Sequence, residues 1–263
     1  MNETTRTTLN HYIDSFKQRV LDGKSDLSFD INVCEKMYDL AVRFAYNDAK
    51  RALKGITKTS KRKEEKDNAL MALKNKIKEY FESQEASFNH KDYCLAFINE
   101  FHDYKMTFGA AQKIVNLTFK YLYCFIQFKN QYYDKFAPCQ MVLDSFILSW
   151  FKRNVDKKKI VGIKHDETWS GLNDYSRYSN IQLLIERYVH GKGLGLSVLE
   201  YEFILWPNTL LYESAISWLS TISEINKSDA YNQYPISRLN DLINRIGREC
   251  QLFNSDINPE ELF

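Results

Sequence analysis

The sequence predicts an all-α protein, and three observations predict it. Apolar residues recur at helical spacing along most of the chain. Only nine Gly and four Pro are present to interrupt them. Hydrophobic residues make up 44% and aromatics 14%, which is ample core material for packed helices. At 263 residues the chain suits one all-α unit over 1–263, or two helical subdomains sharing an interface.

Each element has its own signature. Leu9, Ile13, Phe16 and Val20 mark a first helix that Gly23 ends. Val33, Met37, Leu40, Ala41 and Phe44 mark a second, with Asp30 as a cap before it and Gly55 after it. Leu70, Leu73, Ile77 and Tyr80 mark a third with a basic outer face, and Tyr93, Phe97, Ile98 and Phe101 a fourth. The fifth, over 108–127, is apolar around most of its circumference and is expected to be buried. It nevertheless carries one narrow polar stripe, Gly109, Lys113, Asn116 and Lys120, which must face a cleft, a partner or a ligand. A polar, aromatic connection over 129–139 leads to a sixth apolar helix at Val142, Phe146, Ile147 and Trp150. The segment 157–174 reads as a loop, with a short strand at most over 160–163. Ile181, Leu184, Ile185 and Tyr188 follow, then Gly191, Gly193 and Gly195 as a helix C-cap and turn. A helix over 197–206 is expected to stop at Pro207, and two more are expected over 211–222 and 239–253.

Charge and cysteine usage narrow the class. The net charge is only +2, yet 50–78 holds eleven Lys/Arg against three Asp/Glu, and 152–164 holds six against one. These stretches, including Lys61, Arg62, Lys157, Lys158 and Lys159, form a candidate face for nucleic-acid backbone. A solvated helix face is the competing reading. Five scattered cysteines (Cys34, Cys94, Cys124, Cys139, Cys250), with no C-x-x-C, frame neither disulfides nor a metal box. Reduced thiols in the cytoplasm are expected. The start Met1-Asn2-Glu3-Thr4 has no signal-peptide pattern, and no apolar run is long enough to span a membrane. The five histidines (His11, His90, His102, His165, His190) show no ligand spacing, and no P-loop, G-x-S-x-G or H-E-x-x-H occurs. Neither metal nor cofactor is expected.

The remaining chemistry rests on Lys113 and Asp144. A lysine in apolar surroundings has its pKa lowered, which frees the amine for nucleophilic attack. Asp144 precedes Phe146-Ile147-Leu148, where it caps a helix and points one carboxylate oxygen into a cleft. An amine and a carboxylate together suit cleavage of an N-glycosidic bond. The amine attacks C1′, and the carboxylate stabilises the positive charge that develops on the sugar. The residues alone also allow a plainer account, in which Lys113 snorkels to solvent and Asp144 is only an N-cap.

The stretch Phe108-Gly109-Ala110-Ala111-Gln112-Lys113, followed 31 positions after Lys113 by Asp144, resembles the active-site region of helix-hairpin-helix DNA glycosylases, in particular the archaeal-type 8-oxoguanine DNA glycosylase/lyase branch. The resemblance covers about forty residues, from Phe108 to Leu148. It implies Lys113 as the Schiff-base nucleophile, Asp144 as the catalytic carboxylate, and DNA as the partner. It also implies two packed helical subdomains with the site between them: 1–104 with the C-terminal helices, and 105–190. Gly109, Gln112, Asn116, Lys120 and Trp169 are the expected substrate-binding residues, and Tyr175 and Trp206 are further aromatic candidates for a base pocket. The chain departs from the family pattern in two places. Val142 stands where the family has the proline of Pro-Val-Asp, and of the Gly-rich hairpin only Gly109 remains. The alternative is a non-catalytic helical protein binding a nucleotide, a nucleic acid or a protein partner. Convergence of Lys113 and Asp144 in one place separates the two readings.

Overall fold

The computed structural model describes residues 1–21, 29, 33–50, 60–102, 104–164, 167–210 and 212. The readings at Gly23, Asp30, Gly55, His165 and Cys250 lie outside these, as do the helices expected over 211–222 (212 apart) and 239–253.

Every regular element among the described residues is helical. The helices are α1 (Glu3–Leu21), α2 (Cys34–Ala49), α3 (Ser60–Glu82), α4 (His90–Ile98), α5 (Phe108–Cys124), α6 (Ile126–Tyr132), α7 (Ser145–Trp150) and α8 (Tyr175–Gly191). The last described helix, α9, runs over 198–210. Short 3-10 turns at Tyr133–Phe136 and Trp169–Gly171 and a π turn at Phe151–Val155 complete the set. No helix among the described residues is long and apolar enough to cross a membrane.

Helix α5 is the centre of the fold. Of its seventeen residues all but Phe108 and Lys113 are buried, because α2, α4 and the Trp169–Gly171 turn pack around it. One contiguous apolar core includes Leu9 and Phe16 of α1, Phe81 of α3, Ile185 of α8 and Leu205 of α9. Phe81 is its aromatic hub, with Phe128 at 4.8 Å and Phe136 at 5.0 Å between ring centroids. A fully buried ring of this size contributes about 1.5–3 kcal/mol relative to exposure.

Four expectations need correction. The fifth helix does not continue to Gln127. Phe125 leaves helical geometry (φ −78°, ψ 109°), its buried ring lies 5.0 Å from Phe29, and the chain restarts as α6. The connection over 129–139 is largely helical, since the turn at 133–136 carries Phe136 into the core. No strand forms over 160–163. Instead Asp156 Oδ1 accepts Ile160 N–H at 2.6 Å, and Lys159 and Gly162 take positive φ, which folds a tight loop. Finally, α9 runs through Pro207. The proline removes one ladder bond, and the buried residues on both sides of it, Leu205 and Thr209, keep the helix packed.

Candidate active site

The site begins at the N-terminus of α5. Thr107 caps it, its Oγ1 accepting from Ala110 N–H at 3.1 Å and donating to Ser170 O at 2.6 Å. Gly109 permits the close approach of the 169–172 turn. A Cβ there would lie 1.9 Å from Trp169 O, and Gly109 N–H donates to Leu172 O at 2.7 Å. The first turn of α5 is thus covered by protein, and the turn delivers the Trp169 ring to a position 4.8 Å from Lys113 Nζ.

Lys113 stands one turn further on. It is the single residue from Gly109 to Cys124 that is not buried, with 18% of its side chain exposed. Its Nζ lies 3.9 Å from Asp144 Oδ2. Asp144 is the N-cap of α7, as its place before an apolar run predicts. Its Oδ1 accepts from the N–H groups of Phe146 and Ile147, both at 3.0 Å. Its Oδ2 accepts from Trp206 Nε1 at 2.8 Å. Three donors therefore hold one carboxylate, and the oxygen that meets Trp206 is the one facing the lysine.

Gln112 and the rest of the polar stripe, Asn116 and Lys120, do not face the site. Gln112 and Asn116 are fully buried and Lys120 is 3% exposed. Gln112 clamps Leu143 from both sides, donating to its carbonyl at 2.7 Å and accepting its N–H at 3.2 Å. Asn116 donates to Met141 O at 2.9 Å. Lys120 pairs with Glu202 at 2.6 Å, its ammonium 5.0 Å from the Phe16 ring and 4.8 Å from that of Phe203. The partner that the stripe demanded is the chain itself. The irregular segment 139–144 has no ladder of its own, and side chains from α5, α8 and α9 satisfy its backbone. From α8, Gln182 donates to Met141 O at 2.8 Å and accepts Met141 N–H at 3.2 Å. Of the five expected substrate-binding residues, the structure thus brings Trp169 to Lys113 and commits Gly109, Gln112, Asn116 and Lys120 to internal contacts.

His90 completes this network. Its Nε2 is 2.9 Å from Asn116 Oδ1, and its Nδ1 is 3.2 Å from the Tyr175 hydroxyl. Asn116 Oδ1 is an acceptor, so Nε2 carries the proton and Nδ1 accepts from Tyr175. Burial brings the imidazole down to about 3, opposed by its bond to Asn116, and the ring is neutral at pH 7.

The basic residues divide into two groups. On α3, Lys74 pairs with Glu35 and Asp39 of α2, Lys78 with Glu35, Lys76 with Glu79 and Lys66 with Asp67. Much of that helix's positive charge is neutralised within the fold. Lys61 and Arg62 stand in its first turns, Arg62 over the Tyr104 ring at 6.0 Å. Lys157, Lys158 and Lys159 project from the tight loop after the π turn, all exposed. Among the described residues no three His, Cys, Asp or Glu side chains converge as a metal site.

The sequence offers Trp206 only as an aromatic pocket candidate, not as the partner of Asp144, and does not point to Glu202 at all. A signal for them exists. Ser197-x-x-Glu200 is a capping box, with Ser197 N–H to Glu200 Oε2 at 2.9 Å and Glu200 N–H to Ser197 Oγ at 3.2 Å. It fixes the start of α9 and so puts Glu202 and Trp206 one turn apart on one face. Comparison with protein-family models, curated proteins and solved structures returns no match for this chain.

Proposed function

We propose that the chain is a DNA N-glycosylase/AP lyase whose nucleophile is Lys113 and whose assisting carboxylate is Asp144. The observation that carries this reading is the convergence of the pair. On an otherwise buried helix the one amine that reaches the surface does so 3.9 Å from a nearly buried carboxylate. A simple binding protein needs no such juxtaposition, and an adaptor would pin both groups in surface ion pairs. The resemblance of Phe108–Leu148 to helix-hairpin-helix glycosylases supports the same assignment. So does the position of the lysine on α5, the helix that follows α4.

In this mechanism the Lys113 amine, in its neutral form, attacks C1′ of a modified nucleotide and, once the new C–N bond has formed, gives up one N–H proton to Asp144. The C1′–N bond breaks, and its electron pair leaves with the base, which takes up a proton. Positive charge grows on the sugar in the transition state, and the Asp144 carboxylate stabilises it. Opening of the deoxyribose ring leaves a protonated Schiff base on Lys113. Loss of a C2′ proton and elimination of the 3′-phosphate complete the lyase step. Trp169 and Trp206 flank the pair and supply the aromatic walls that a flipped nucleotide requires. We read the site as the junction of two helical parts. The part over 105–190 carries Lys113, Asp144 and Trp169, and α9, with the first 104 residues, carries Trp206.

Gly109 N–H is bonded to Leu172 O, so phosphate contact is assigned to Lys157, Lys158 and Lys159 rather than to the start of α5. The test is single-turnover incubation with duplexes that each hold one modified base, with free base measured by mass spectrometry. Release of a base by the wild type and its loss in Lys113→Ala supports the reading. Binding without release across the panel favours the non-catalytic alternative.

A further inference from the structure

We propose that Glu202 and Trp206, one turn apart on α9, are positioning residues for the Lys113–Asp144 pair, with Lys120 holding Glu202 in place. This rests on the reading of that pair as the reactive centre. The two residues grip the chain on either side of Leu143. Trp206 Nε1 donates to Asp144 Oδ2 at 2.8 Å, and Glu202 Oε2 accepts Val142 N–H at 2.8 Å. Four residues of helix rise about 6 Å, and two residues of extended chain cover about 6.6–7 Å. One rigid face of α9 therefore matches the length of the segment that ends in the carboxylate.

The chemistry at each contact is specific. Asp144 Oδ1 already has two backbone donors, so the helix cap alone would fix that oxygen. The Trp206 bond falls instead on the oxygen that faces Lys113, where it opposes rotation of the carboxylate. The indole is itself pinned, with its face 4.4 Å from the Arg19 guanidinium and its ring 5.9 Å from Phe146 in an edge arrangement. Glu202 is 1% exposed, and burial pushes its carboxyl up, opposed by Lys120 and by the Val142 N–H. A buried ion pair stabilises a fold no better than well-packed apolar side chains of the same volume. What it adds here is an acceptor, fixed by a second side chain, for a backbone N–H two residues before Asp144. Lys120 Nζ donates to the other oxygen at 2.6 Å and holds that acceptor in register.

The test compares Trp206→Phe and Glu202→Gln with the wild type in two measurements. The first is the single-turnover rate of borohydride trapping on a duplex with one abasic site, taken over a range of protein concentrations. The second needs no substrate: NMR of the reductively 13C-methylated protein, with the Lys113 signal assigned by its loss in Lys113→Arg. For Trp206→Phe we expect a saturating rate at least tenfold lower and a half-saturating concentration within twofold of the wild type. We also expect the Lys113 signal to move toward its position in Asp144→Asn. Glu202→Gln should move both in the same direction, by less. A wild-type rate and an unmoved Lys113 signal in a folded Trp206→Phe would overturn the proposal. So would a rate loss that follows weaker binding. If the wild type traps no duplex, the reactive reading of the pair fails, and the Lys113 signal alone decides whether α9 positions it.

Discussion

Lys113 Nζ and Asp144 Oδ2 lie 3.9 Å apart although 31 positions of sequence separate them, and the carboxylate is almost fully shielded while the amine is not. Contacts from α5 and α9 hold the pair in place. Gln112, the residue before the lysine, clamps Leu143, the residue before the aspartate. Motion of α5 relative to the 139–144 segment is therefore coupled to the separation of the amine and the carboxylate.

The close approach at Gly109 gives the first prediction. Gly109→Ala puts a methyl group into the Trp169 carbonyl, a backbone atom that has no rotamer to escape into. The variant should lose about 1–3 kcal/mol of stability, the usual cost of overpacking, or more. The Trp169 ring should also shift away from Lys113. Urea denaturation followed by tryptophan fluorescence reads both effects, and an unchanged midpoint would show that the 169–172 turn is loosely seated.

Buried His90 makes a pH prediction. Its folded-state value of about 3 lies below the ordinary 6.5, so its contribution is fully present above pH 6.5 and is lost as pH falls toward 3. Over that window stability should fall by roughly 1.4 kcal/mol per pH unit from this group. His90→Gln keeps a donor for Asn116 Oδ1 and cannot titrate. The difference in unfolding free energy between the variant and the wild type should therefore shrink as pH drops from 7 to 5. A difference independent of pH would contradict the neutral, buried imidazole.

DNA binding should depend on the loop lysines more than on those of α3. Replacing Lys157, Lys158 and Lys159 together by Ala should reduce the slope of log K against log salt by about two to three, since each phosphate contact contributes about 0.9. Replacing Lys74, Lys76 and Lys78 should change the slope little, because carboxylates of α2 and α3 already face them. Fluorescence anisotropy between 50 and 200 mM salt, roughly the range over which counterion release is read, checks both. Equal slopes in the two triple variants would move the contact surface to α3.

Much of this was legible before the fold was seen, and the remainder was hidden for physical reasons. Periodicity identifies the buried helix, over 108–127 where the structure has 108–124, and the position of Asp144 before an apolar run identifies its role as a cap. Periodicity does not say what covers a polar stripe. Gln112, Asn116 and Lys120 read as a ligand face because the segment they satisfy, 139–144, carries no regular structure of its own to announce it. The break at Phe125 is equally silent. No Gly or Pro marks it, and the packing of Phe125 and Phe128 into the aromatic core overrides the local helical preference. The bond of Trp206 to Asp144 was hidden because 62 positions separate them, and only the tertiary fold joins them.

The most direct test of the central claim is the identity of the residue that forms a Schiff base. A duplex with one abasic site is incubated with the wild type and borohydride, and the cross-linked peptide is sequenced by mass spectrometry. The hydride reduces the imine carbon and leaves a stable secondary amine. The account predicts a cross-link at Lys113. It should be absent in Lys113→Ala, and base excision should be slower by roughly a hundredfold or more in Asp144→Asn, which keeps the helix cap but loses the charge. Circular dichroism should show both variants folded. A cross-link at another lysine, or none with a folded and DNA-bound wild type, would contradict it.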